Sequence, residues 1–281
     1  MRPSIINMSL AAAALCSACA TTSGARSGDD DEQSTSAVQD YHRHRNQGVT
    51  EFVIMGLDGL GDEDEVKGKQ IDQLQDQLIA CQKPGAEANR ALLSVLAEGT
   101  ETGSIDQAKA DAQIERIAMA ANDARTCSVA VLDALHSTLS PGERAALADK
   151  IEANWAVWRE QNEAAKAGQK SGRLNRLAEK LSLTNDQVEA ASKQLEVALA
   201  DLPRRFDAQR ISTQVEAFGD AFSADAFDST SVADTLGVEI AAPGAARTAR
   251  FYETVVPLLT AEQRTKLAGD LKERANEQPS T

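Results

Sequence analysis

At 281 residues and 42% apolar side chains the chain can build a core for one or two domains, but its formal net charge of −14 argues against nucleic acid or anionic lipid as a partner held by charge. Aromatic residues make up only 4%, and Ala, Leu, Gln, Glu and Lys dominate where β-branched runs are rare, so the reading is an all-α protein.

The first segment is a leader. Arg2 precedes an apolar stretch from Ile5 to Leu15, interrupted by Asn7 and Ser9, and the small pair Ser17-Ala18 stands before Cys19. This resembles a bacterial lipoprotein signal peptide over residues 1–18, with Cys19 as the lipidated residue. Cys16 fits that role worse, because Leu15 occupies the position of a small side chain, and ordinary secretory cleavage nearby is the alternative. In either case the protein is exported. Ala20 is not the Asp that retains such lipoproteins at the inner membrane, so the resemblance implies the periplasmic side of the outer membrane.

Residues 19–48 are rich in Ser, Thr, Gly, Asp and Arg, with the run Asp29-Asp30-Asp31-Glu32 and almost nothing to bury, which predicts a disordered tether. A flexible chain of that length spans about 25–30 Å. Within it, His42 and His44 could share one side of an extended segment, yet Arg43 and Arg45 oppose a cation and no third ligand is fixed nearby.

Beyond the tether, four helix starts carry one stamp: Asp62…Glu65, Ser140…Glu143, Thr184…Gln187 and Thr260…Gln263. Each puts an oxygen-bearing side chain at an N-cap and a Glu or Gln three residues on, so that each can satisfy an otherwise unpaired backbone N–H near the other. The first and second starts are 78 residues apart and the third and fourth 76, which reads as one unit written twice. An offset of 122 lays Asp62 on Thr184, Leu96 on Phe218 and Asp106 on Asp228, and an offset of 120 lays Ser140, Arg144 and Ile151 on Thr260, Arg264 and Leu271. The expected organisation is a first helical unit over 49–168, a second over 169–276, and a disordered tail over 277–281.

In the first unit the pattern predicts a helix from Asp62 to Gln82, stopped by Pro84-Gly85, and a second from Ala86 to Glu98. A long third helix runs from about Ile105 to Leu139, and a fourth from the Ser140 cap presents Leu147, Ile151, Trp155 and Trp158 on one face. Trp155 and Trp158 are read as core or inter-unit packing rather than as a binding surface. The second unit repeats the plan, with Val188, Leu195 and Leu202 on its first helix and Ile211, Phe218 and Phe222 on its second. Phe251 and Val255 mark its third, and Leu267 and Leu271 its last. Cys81 and Cys127, 46 residues apart, either close a disulfide between helices or pack as two small buried thiols.

No nucleophile–base motif, glycine-rich phosphate loop or HExxH segment occurs, so no enzyme activity and no cofactor is implied. The stretch from Asp58 to Lys69 places Leu60, Val66 and Lys69 where a calcium loop needs oxygen ligands.

Leu183-Thr184-Asn185-Asp186-Gln187 and Leu259-Thr260-Ala261-Glu262-Gln263 both read LTxxQ, and Leu139-Ser140-Pro141-Gly142-Glu143 is a degenerate copy. This resembles the Spy/CpxP-like family of bacterial periplasmic proteins, with the second unit similar to a whole member and the first a looser copy. The resemblance implies two tandem four-helix units forming a helical cradle or an intrachain pseudo-dimer. It also implies a function without ATP. The first candidate is a chaperone binding unfolded or misfolded envelope proteins in the stress response. A stress or heavy-metal sensor partner of an envelope kinase and a purely structural spacer are the alternatives. Family chaperones bind clients on surfaces of basic character, from which this acidic chain departs.

Overall fold

Residues 49–57, 60–61, 64–168, 172–202, 208–232 and 235–277 are described by the computed structural model. The leader, Cys19, the tether with His42 and His44, Asp62, and the segment after Glu277 therefore lie outside the described residues. What is described is all-α.

The first half contains α1 (Val49–Gly56), α2 (Glu65–Thr102), α3 (Gln107–Thr138) and α4 (Pro141–Gly168). The second half contains α5 (Arg173–Leu181), α6 (Asn185–Ala198), α7 (Ala208–Ser223), the single turn α8 (Ser229–Val232), α9 (Thr235–Val255), a 3₁₀ turn at Val256–Leu258, and α10 (Ala261–Asn276).

Three of these elements correct the sequence reading. The predicted break at Pro84-Gly85 is absent, and α2 runs through Pro84 as one helix of 38 residues. A proline inside a helix removes one hydrogen bond and costs about 3 kcal/mol. That local cost is outweighed because Ile71, Leu74 and Leu78 anchor one side of Pro84 and Leu92 and Leu96 the other, each set in a different core. The short helices α1 and α5 are additions to the sequence reading, although each carries a buried apolar pair four residues apart, at Val49 and Val53 and at Leu177 and Leu181. Finally, α2 starts at Glu65 with Asp64 as its N-cap, not at Asp62.

The α2–α3 turn is set by glycine. Gly103 ends α2 in the left-handed conformation at φ 89°, returning its N–H to Gly99 O and Thr100 O. One turn earlier, a Cβ on Gly99 would stand 2.7 Å from Ile105 Cα, so only glycine lets α3 begin this close to the end of α2.

The packing does not follow the boundary at residue 168. The described residues form one compact unit with two apolar cores, and each core draws on both halves of the sequence. One core joins the outer ends of the first half, such as Val53, Leu78, Leu135 and Ile151, to Phe218 and Phe222 of α7. The other joins the outer ends of the second half, such as Leu181, Leu195, Val255 and Leu271, to Leu96 and Ile117 beside the α2–α3 turn. Each half thus supplies a hub of helix ends that grips the hairpin turn of the other. α10 lies along α2 and α4 along α7, which are equivalent contacts under the repeat.

Between the hubs, α3 and α9 pack against each other, with Gln107 at the start of α3 bonded to Glu253 near the end of α9 at 3.2 Å. The two helices are therefore antiparallel. Their buried central positions are small: Ala120, Ala124 and Ser128 on α3, and Ala241, Ala245 and Ala249 on α9. These two sets match at an offset of 121, the relation expected where a pseudo-twofold axis crosses a pair of equivalent helices. The interlocked halves correspond to the intrachain pseudo-dimer rather than to two beads on a linker.

Candidate functional site: the paired helix starts

LTxxQ is at bottom a hydrogen-bonding prescription. At the start of α6, Thr184 Oγ1 accepts from Gln187 N at 3.2 Å while Gln187 Oε1 accepts from Thr184 N at 2.9 Å. At the start of α10, Thr260 Oγ1 accepts from Gln263 N at 3.3 Å and Gln263 Oε1 from Thr260 N at 2.9 Å. Both are full capping boxes. A glutamate could make either one, so capping alone does not explain the glutamines.

The amide nitrogens do. Gln187 Nε2 donates to Gln263 Oε1 at 2.9 Å and to Leu258 O at 2.8 Å. Gln263 Nε2 donates to Gln187 Oε1 at 3.2 Å and to Leu181 O at 3.4 Å. The two boxes, 76 residues apart in sequence, thus clasp each other, and each glutamine also ties off a carbonyl where a preceding helix ends. Only a side chain with both an acceptor and a donor can cap its own helix and bridge to the other. The leading leucines are anchors: Leu259 is buried and Leu183 packs on the same core.

The first half makes the same clasp with charge. Glu143 Oε2 accepts from Ser140 N at 2.7 Å, from Ser140 Oγ at 2.5 Å, and from Lys67 Nζ. Asp64 caps α2 by accepting from Val66 N at 3.0 Å and Lys67 N at 3.2 Å. Lys67 therefore stands where Gln187 stands in the second half, and Glu143 where Gln263 stands. Moving the cap from Asp62 to Asp64 also removes the mismatch between the halves. Asp64 to Ser140 and Thr184 to Thr260 are then both 76 residues, and all four caps and bridging residues superpose at one offset of 120. Glu65, read as the partner of the cap, is the first helical residue and pairs instead with Lys69 at 2.6 Å.

Burial pushes the Glu143 carboxyl up, but the hydrogen bond from Lys67 and those from the Ser140 hydroxyl and backbone N–H outweigh it and hold the group down at about 2. Lys67 and Glu143 are each about a quarter exposed, at 24% and 25%, so the pair is sheltered but not dry.

One pair of residues aligned in the repeat turns out to join the halves. Arg144 donates to Leu139 O at 3.4 Å and reaches Asp225 at 3.0 Å, in the turn after α7. Arg264 donates to Leu259 O at 2.9 Å and lies against Gly103 in the α2–α3 turn. Each arginine leaves a clasp in its own half and lands on the hairpin turn of the other. The recurrence of Arg directly after the Glu or Gln was the available sequence signal. His136 also bridges, its Nε2 lying 2.8 Å from Ala224 O and its ring stacked on Phe227.

The tryptophans sit in the packing between halves. Trp155 is buried, stacks on Trp158 at 5.1 Å, and donates from Nε1 to Ser212 Oγ of α7 at 2.9 Å. Cys81 and Cys127 are joined as a disulfide between α2 and α3, with Cα atoms 5.7 Å apart.

Among the described residues the large exposed apolar side chains are Val66, Met119, Val157 and Val197, well separated along the chain. Among the described residues no group of three or more His, Cys, Asp or Glu side chains is placed to hold a metal ion, and no helix is long and apolar enough to cross a membrane. Comparison with protein-family models, with curated proteins and with solved structures finds no match to this chain.

Proposed function

We propose that the chain is an exported, lipid-anchored Spy/CpxP-like protein, duplicated within one polypeptide, that binds unfolded envelope proteins without ATP. The observation that carries this reading is the reciprocal bond between Gln187 and Gln263. It makes the two LTxxQ segments halves of one clasp, with an equivalent clasp at Lys67 and Glu143. A single chain then supplies both members of an antiparallel pair. Scattered apolar side chains on a charged helical surface suit weak, exchangeable contacts with unfolded segments. With 43 acidic against 29 basic residues, the surface favours clients of positive charge. Lipid on Cys19 would keep this activity at the periplasmic face of the outer membrane.

The test is an aggregation assay. Residues 20–281, which lack the lipidated cysteine, are mixed without nucleotide with chemically unfolded clients of differing charge at roughly equal concentration. Suppression that survives chelator and is stronger for basic clients is the expected result. No suppression of any client would overturn the reading in favour of a sensor partner or a spacer.

A further inference from the structure

The disulfide lies where α2 passes from one core to the other. On α2 one core ends at Cys81 and the next fully buried side chain is Leu92, so that none of residues 82–87 is buried. Pro84 lies in this gap and interrupts the hydrogen-bond ladder of α2 three residues beyond Cys81. Facing it, α3 offers only Ala124 and Ser128 as buried positions between Ile117 of one core and Val131 of the other, apart from the small Ala120. Ser128 Oγ is buried without a hydrogen-bond partner, as is Arg125 Nε. Such groups regain hydrogen bonds when water reaches them, so the closed midsection is disfavoured at these positions. Large apolar contacts are missing here, and the covalent bond takes their place.

The two cysteine residues differ in exposure. Cys81 is buried, at 5% exposure, whereas Cys127 is exposed. We propose that the Cys81–Cys127 bond is a reducible latch, opened by an external dithiol that attacks at Cys127, and that its opening loosens the midsection of α2 and α3 while both cores stay folded. In the first step a thiolate of the dithiol bonds to Cys127 Sγ. The bond to Cys81 breaks, and Cys81 leaves as a thiolate that takes a proton from water. In the second step the other thiol of the reagent, as its thiolate, attacks its own sulfur in the mixed disulfide and releases Cys127. The reagent ends as a disulfide, and the two cysteines have gained two electrons and two protons. Without the latch α2 breaks at Pro84-Gly85, the break its local sequence favours, and water reaches Ser128 and the Ala120–Ala124 seam against α9. Neither step depends on what the protein binds.

The probe is dithiothreitol, applied to residues 20–281 at neutral pH without denaturant. Alkylation followed by mass measurement reads the thiols, and hydrogen exchange reads the structure. Both cysteines should become alkylated under native conditions. Amide exchange over residues 82–90 and 122–130 should accelerate by about tenfold or more, while Leu135, Ile151, Leu195 and Leu271 keep their protection. Oxidation should restore the slow pattern, and Cys81→Ala/Cys127→Ala should show the fast one without reductant. The proposal is overturned if the bond resists dithiothreitol until denaturant is added, if reduction leaves exchange unchanged, or if both cores lose protection together.

Discussion

Replacing Lys67 and Glu143 by glutamine should turn the charged clasp of the first half into a copy of the neutral clasp of the second. The size of the charge contribution follows from Glu143, whose carboxyl is lowered from 4.5 to about 2. Each pKa unit corresponds to 1.36 kcal/mol, which gives a ceiling of about 3.4 kcal/mol for that shift. Both partners are about a quarter exposed, at 24% and 25%, so solvent screening brings the working value to about 1–2 kcal/mol. The sign is that of a carboxylate held below its unfolded value. The stabilisation is present in full above pH 4.5 and disappears as the pH falls towards 2, with about three quarters of it gone by pH 2.5. Glu143→Ala should therefore be less stable than wild type by about 1–2 kcal/mol at pH 7, and most of that deficit should vanish at pH 2.5. Lys67→Gln/Glu143→Gln should stay within about 0.5 kcal/mol of wild type at pH 7, because the amide introduced at position 143 can still accept from Ser140 N and exchange a hydrogen bond with the amide introduced at position 67. Urea unfolding followed by far-UV circular dichroism at pH 7, 4.5 and 2.5 measures these differences, and carboxylates common to all variants cancel. A deficit for Glu143→Ala that persists unchanged at pH 2.5 would refute the electrostatic origin. A double variant as unstable as Glu143→Ala at pH 7 would refute the equivalence of the two clasps.

Thr260→Ala removes the cap of α10 and should cost about 1 kcal/mol, so an unchanged thermal melt would show that the Thr260 hydroxyl does not cap. Gln187→Glu keeps the capping acceptor but loses the donor to Gln263 and Leu258 O; urea unfolding at pH 7 should register a loss of about 1–3 kcal/mol, recovered in part as the pH falls and the carboxyl gains a proton. Gly99→Ala places a methyl 2.7 Å from Ile105 Cα, where backbone must move, and should lower stability by about 1–3 kcal/mol in the same assay. A chain of residues 169–281 alone leaves its hub without the α2–α3 turn, and analytical ultracentrifugation should find it self-associated or expanded; a compact, cooperatively melting monomer would contradict the interlocked cores.

The features read correctly from the sequence are those whose chemistry is closed within three or four residues. Thr184 with Gln187 and Thr260 with Gln263 satisfy each other locally, so spacing and residue type reveal them. Apolar periodicity likewise marks Leu147, Ile151, Leu267 and Leu271 as inward-facing, because burial repeats with the helical turn. The sequence places the cap of α2 two residues too early because Asp62, Glu63, Asp64 and Glu65 all carry oxygens near one helix start. What distinguishes Asp64 is that a start there brings Lys67 to Glu143, a contact spanning 76 residues. The bridging role of the arginines is hidden for the same reason, since Arg144 and Arg264 act on turns of the opposite half.

The helical class, the inward faces and the chemistry of the caps were legible in the sequence alone, because all three are short-range consequences of backbone hydrogen bonding and side-chain spacing. Tertiary structure decided that α2 continues through Pro84 and that Phe218 and Phe222 complete the core of the first half. It also decided that the glutamines of LTxxQ bond to one another. These outcomes depend on which apolar faces meet when the chain closes on itself. An amphipathic helix shows in its sequence that it has a face to bury, but the partner for that face is chosen by the shape and burial of the whole assembly.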